Sequence, residues 1–156
     1  LWRFEAGTPN IAQAVGLGSS IDFISKLGLY DIEKNLTQLT QFALEKMNEI
    51  SGIHLFHSGN PSENVISFTV EGIHPQDLAM FMNEDDIAFR VGHHCAQPLM
   101  KHFGVSATAR ISFAIYNTQE DIKKFIQSLK NTIEILGKNP KEKPVIKIKS
   151  VSKVIS

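Results

Sequence analysis

Between Tyr30 and Gly52 the chain reads YDIEKNLTQLTQFALEKMNEISG, and Ile32, Leu36, Leu39, Phe42, Ala43, Met47 and Ile50 recur at three- and four-residue spacing. That periodicity predicts a helix with one apolar stripe, ended by Gly52, and such a stripe must be buried against a second layer. The residues that follow are suited to supply it. IHLFHS and NVISFTVEG are short, β-branched and aromatic, with the turn-forming SGNPSEN between them, so two strands joined by a loop are expected. A second one-sided helix is expected in TQEDIKKFIQSLKNTIEILGK. It opens at Thr118 with Glu120 and Asp121, repeats Ile122, Phe125, Ile126, Leu129, Ile133 and Leu136, and stops at Gly137.

Between these anchors, HPQDLAMFMNED predicts a short amphipathic helix, DIAFRVG a strand, PLMKHFG a helical turn or two, and TARISFAIYN another strand. Ahead of them, NIAQAVGLGSSIDFISKLG sets Ile11, Val15, Ile21 and Ile24 at helix-like spacings behind the start signal of Pro9 and Asn10, and closes at Gly28. Gly16 and Gly18 would weaken an isolated helix, so tight packing is expected around them. The order α-α-β-β-α-β-β-α, with short loops between several strands, implies a mostly antiparallel sheet covered by helices, an α+β architecture. Residues 10–137 are expected to form one packed unit, with 1–9 leading into it. The lysine-rich segment 138–156 alternates Val145, Ile146, Ile148, Val151 and Val154, and reads either as an added strand or as a disordered extension.

Sixteen basic and sixteen acidic side chains cancel, so no global field recruits nucleic acid or an anionic membrane surface. Apolar runs are only a few residues long, against the roughly 20 that cross a bilayer, and the N-terminus lacks the layout of a signal peptide. One cysteine forms no internal disulfide, which fits a reducing compartment; a cytoplasmic or organellar-matrix protein is expected. The chain begins with Leu1 rather than methionine, which suggests a processed form or a fragment.

That single cysteine stands in RVGHHCAQPLM, and three readings of Cys95 are open. A lone cysteine is most often a small buried hydrophobe. A structural zinc ion would draw on His93, His94, Cys95 and His102, but adjacent residues rarely turn toward one centre, and no CxxC or HxxxH pair is present. A nucleophile needs thiolate character, which Arg90, the two imidazoles and the N-terminus of the following helix would each favour. In TARIS, Arg110 lies among small and apolar residues. It is either a structural arginine or a guanidinium fork for a substrate carboxylate. A reactive thiol and a carboxylate clamp together point to an amino-acid substrate.

FEAGTPN, RVGHHCAQPLM and TARISFAIYNTQEDI, in that order and separation, resemble the C-terminal part of the SufS-type (group II, NifS-like) cysteine desulfurases and selenocysteine lyases. The resemblance runs over about residues 3 to 137. It implies the small C-terminal domain of a fold type I pyridoxal 5'-phosphate enzyme, with 1–9 arriving from a large domain. It implies that Cys95 attacks the sulfur of a cysteine–pyridoxal adduct and becomes a persulfide as alanine leaves, and that Arg110 binds the substrate carboxylate. Arg90 would shape the loop and pocket, Gly7 and Thr8 would reach the cofactor phosphate of the partner subunit, and His93 and His94 would shape the loop and thiol environment, with no metal. The implied partners are L-cysteine, L-selenocysteine as a related substrate, a sulfur acceptor of SufE/SufU type for iron–sulfur cluster assembly, and a second copy in a homodimer.

The chain departs from that family in lacking the His-Lys pair that carries the cofactor, the histidine that stacks on it and the aspartate that pairs with its pyridine nitrogen; Lys101 and His102 occur in reverse order. Alone it is therefore expected neither to bind pyridoxal phosphate covalently nor to complete the reaction. The alternative is a stand-alone persulfide carrier or interaction module; a zinc-binding domain is a third reading.

Overall fold

The computed structural model describes residues 2–4, 6–58, 60 and 63–137, so the expectations for 138–156 lie outside the described residues. After a 3-10 turn at Trp2–Phe4, the order is α1 (Ile11–Leu27), α2 (Leu29–Asn48), β1 (Ile53–Phe56), β2 (Val65–Val70), α3 (Pro75–Asn83), β3 (Arg90–Gly92), α4 (Gln97–Phe103), β4 (Thr108–Ser112) and α5 (Gln119–Gly137). The four strands form one sheet in the order β1-β2-β4-β3, and every pairing is antiparallel. β4 is thus inserted between β2 and β3, which run in the same direction, with α3 crossing between them.

Alternation along the strands gives the sheet two unlike faces. Ile66, Phe68 and Val70 of β2 and Ala109 and Ile111 of β4 point into the core, where they meet Leu39, Ala43 and Met47 of α2, Leu78 and Met82 of α3, and Ile122, Phe125, Ile126 and Leu129 of α5. The opposite face carries Ser67 and Thr69 of β2, Arg90 of β3, and Thr108 and Arg110 of β4. On that face the contact from α4 is aromatic, Phe103 lying 5.0 Å from Phe56 between ring centroids.

The caps explain where the helices begin. α5 opens with a reciprocal box: the Asp121 carboxylate accepts from the Thr118 backbone N–H at 2.9 Å, and the Thr118 hydroxyl accepts from the Asp121 N–H at 3.3 Å. α1 and α2 are separated by Gly28 alone, whose φ of +86° is a conformation that glycine adopts without a Cβ penalty.

Two expectations are corrected. α1 buries none of its residues, and a Cβ at Gly16 or Gly18 would meet nothing within 4 Å, so the tight packing expected there is absent among the described residues. The strand expected in DIAFRVG shrinks to Arg90–Gly92, because Asp86 turns the chain with a φ of +58° before it reaches the sheet. No helix among the described residues is long and apolar enough to cross a membrane.

Candidate functional site

The polar face of the sheet brings the two candidate arginines together. Arg90 and Arg110 are direct partners in the β3–β4 register, and Ser67 is the partner of Arg110 on the other side. Directly opposed residues hold their Cβ atoms about 4.5–5.5 Å apart, and two like charges so placed repel. Among the described residues neither arginine has an ion pair: the ion pairs there join Lys46 to Glu49 and Lys123 to Glu120. The Arg110 Nε is buried and has no hydrogen-bond partner. An unmatched donor of this kind costs roughly 1–3 kcal/mol, more when charged. Two forked cations with an unused buried donor suit a planar anion, a carboxylate above all.

Cys95 lies three residues beyond the end of β3, on the loop to α4, and its side chain is exposed. Cys95 is therefore not part of the core described above. The loop is bent sharply: Gly92 has φ +119°, and the next positive values belong to residues with side chains, His94 at +54° and Cys95 at +59°. A turn bond from the Ala96 N–H to the His93 carbonyl at 2.9 Å closes it. The bend returns the loop toward β4, where His94 Nε2 lies 3.1 Å from the Thr108 carbonyl oxygen and 3.0 Å from its hydroxyl.

The adjacent histidines therefore differ. His94 is half-buried at Thr108, while His93 is exposed and lines a cleft of about 630 Å³ with Gln97, Pro98, Met100 and Lys101. Burial lowers the pKa of His94 from its ordinary 6.5 against the raising effect of the Thr108 bond, and the positive charges of Arg110, Arg90 and His93 lower it further. Among the described residues no group of three or more His, Cys, Asp or Glu is arranged to hold a metal ion.

Gly7 and Thr8 are exposed on the segment that leads into α1, and among the described residues no hydrogen bond ties them to the cysteine loop. Pyridoxal phosphate asks for a lysine at its aldehyde and a set of donors at its phosphate. Lys101 is exposed on α4, and Gly7 and Thr8 are exposed ahead of α1. What is assembled is a register pair of arginines with a thiol on the adjoining loop. Thr108 and Ser67 were not anticipated from sequence. The two-residue step from Thr108 to Arg110 in TARIS is the signal that could have placed Thr108 on the same face.

The aminotransferase class-V family model matches residues 1–125. A probable cysteine desulfurase of Halalkalibacterium halodurans is 46% identical over 136 residues, which cover 87% of this chain and 33% of that protein. The solved cysteine desulfurase CsdA of Escherichia coli superposes with a TM-score of 0.80 at 32% identity, covering 86% of this chain and 33% of its own. The apo cysteine desulfurase of Thermococcus onnurineus NA1 does so with a TM-score of 0.80 at 38% identity, covering 86% and 34%. The chain thus spans about a third of the length of the relatives it matches.

Proposed function

The chain belongs to the aminotransferase class-V family, and we propose that it is the thiol-bearing, carboxylate-binding part of a cysteine desulfurase of the SufS-like group. The observation that carries this reading is the uncompensated Arg90–Arg110 pair on the sheet face to which the Cys95 loop returns. Arg110, with its idle buried Nε, takes the carboxylate of L-cysteine or L-selenocysteine, and Arg90 flanks it. Carboxylate capture fixes the orientation of the amino acid, so that the exposed Cys95 Sγ meets its sulfur. Cys95 takes that sulfur as a persulfide, and alanine leaves.

Pyridoxal phosphate supplies the electron sink that weakens the carbon–sulfur bond, and the rest of the assembled enzyme holds it. Gly7 and Thr8 contribute to its phosphate across a homodimer, and His93 and His94 shape the thiol loop. The persulfide passes to an acceptor of SufE/SufU type for iron–sulfur cluster assembly in the cytoplasm. The unburied apolar side chains of α1, among them Ile11, Val15, Leu17, Ile21 and Phe23, support burial against another part of that assembly. The chain alone does not turn over cysteine.

The test is turnover in the assembled enzyme. Cys95→Ala abolishes alanine and persulfide formation from cysteine and leaves the cofactor absorbance intact; full turnover by this variant would sink the assignment. The exposure of Cys95 also favours a second reading, a persulfide carrier that works without cofactor. Incubation of the chain alone with a persulfide donor, followed by mass spectrometry, then adds one sulfur; an unmodified mass removes the carrier.

A further inference from the structure

We propose that His94 is the positioning residue of the thiol loop: its Nε2–H donates to the Thr108 carbonyl, and this latch holds Cys95 in its left-handed conformation on a loop tied to the strand that carries Arg110.

The bond has one direction open to it at the carbonyl. A carbonyl oxygen only accepts, so a bond across the 3.1 Å to it requires the proton on Nε2, and the hydroxyl oxygen at 3.0 Å then accepts the same proton instead of donating to a bare nitrogen. His94 is then the neutral Nε2–H tautomer. Its Nδ1 is buried and has no partner, so a second proton there would be a buried donor facing no acceptor. The lowered pKa agrees, since burial acts first and the charges of Arg110, Arg90 and His93 add to it. The groups around the ring thus favour a neutral imidazole.

The latch has something to hold. Consecutive residues with side chains at φ +54° and +59° are strained and persist only where surrounding contacts determine them. The loop supplies one backbone bond of its own, from the Ala96 N–H to the His93 carbonyl, and Cys95 is exposed and adds no packing. The anchor is firm: Thr108 is 1% exposed, and β4 is paired on both sides. Thr108 also precedes Arg110 by two residues on the same face, roughly 7 Å along the strand. One strand therefore fixes both the carboxylate clamp and, through His94, the loop that carries the thiol. The His93 side chain, exposed at the α4 cleft, is not the one that reaches Thr108.

The inference rests on the reading of Cys95 as the sulfur acceptor, and the experiment separates the two. In this chain, nitrogen NMR of the imidazoles shows His94 protonated at Nε2. His94→Ala raises amide exchange at Ala96 by tenfold or more and leaves that of Ala109 unchanged, while His94→Gln, whose amide N–H reaches the same carbonyl, restores protection. In the assembled enzyme, His94→Ala lowers kcat by tenfold or more with KM for cysteine within twofold, and His94→Gln recovers most of the loss. An Nδ1–H tautomer, unchanged Ala96 exchange in His94→Ala, or a glutamine variant no better than alanine would each overturn the latch. So would wild-type turnover by His94→Ala in an enzyme that Cys95→Ala inactivates. Should Cys95→Ala itself turn over normally, the sulfur-acceptor reading fails, and the tautomer and exchange measurements still decide the latch.

Discussion

α1 and α5 are close in length, 17 and 19 residues, and both are rich in isoleucine and leucine, yet they relate to the core in opposite ways. α5 buries Ile122, Phe125, Ile126, Ser128, Leu129 and Thr132 on one side, under the sheet and against α2 and α3. Among the described residues α1 buries nothing and has its main contact with α2. The difference lies in the distribution of apolar side chains. In α5 they form a stripe opposite Glu120, Lys123 and Lys130, whereas in α1 Ile11, Val15, Leu17, Ile21, Phe23 and Leu27 spread around the helix with few charges between them. A helix apolar all round belongs inside something larger. α5 serves this unit; α1 serves whatever lies against it.

The comparison breaks or sharpens under four substitutions, taken in pairs. Leu129, fully buried, leaves a cavity when truncated, so Leu129→Ala lowers stability by about 2–5 kcal/mol, whereas Ile21→Ala at a 54% exposed site changes it by no more than about 0.5 kcal/mol. Urea unfolding midpoints read both, and equal losses would erase the distinction between the helices. Next in size are the caps. Thr118→Ala removes the hydroxyl half of the reciprocal box of α5 and costs about 1 kcal/mol, but Asn10→Ala has little effect, because the Asn10 side chain makes no capping bond to α1. Circular dichroism melts of the two variants order them.

The smallest effect is that of acid. The Thr118 backbone N–H, then its hydroxyl, hold the Asp121 carboxyl below its ordinary value of 3.8. A depressed carboxyl contributes stability that is complete above 3.8 and is lost as pH falls through the folded-state value. Protection of the first turn of α5 should therefore decline only below about pH 4, while α1, with no acid in its first turn, has no such dependence. Amide exchange of the two first turns between pH 3 and pH 5 checks this.

How much was legible follows from the same contrast. The stripes of α2 and α5 predicted their buried faces, because a one-sided pattern implies the direction of the core; Leu39, Ala43, Met47 and Leu129 are all where the spacing put them. The antiparallel sheet followed from the short connections. α1 was legible as a helix but not in its surroundings, since apolar side chains do not say what will cover them, and the glycines taken as close-packing sites face open space. At the site, RVGHHCAQPLM and TARIS named Cys95, Arg90 and Arg110, but their juxtaposition depends on the β3–β4 register, which pairs Arg90 with Arg110 across 20 residues of sequence. The histidine pair looked alike in sequence. Only the backward bend of the loop, with positive φ at residues that are not glycine, sends one to Thr108 and leaves the other in solvent.

Gly28 is both the last residue of α1's cap and the first of α2's, so a single pair of backbone angles sets the direction in which α1 leaves the rest of the fold. Seventeen residues make a rod of about 26 Å, and a turn of ten degrees at its pivot sweeps the far tip through about 4 Å. Gly7 and Thr8 sit just beyond that tip. Their placement is thus a matter of leverage: a neighbour that grips α1 along its length steers, through one glycine, where the start of the chain is delivered.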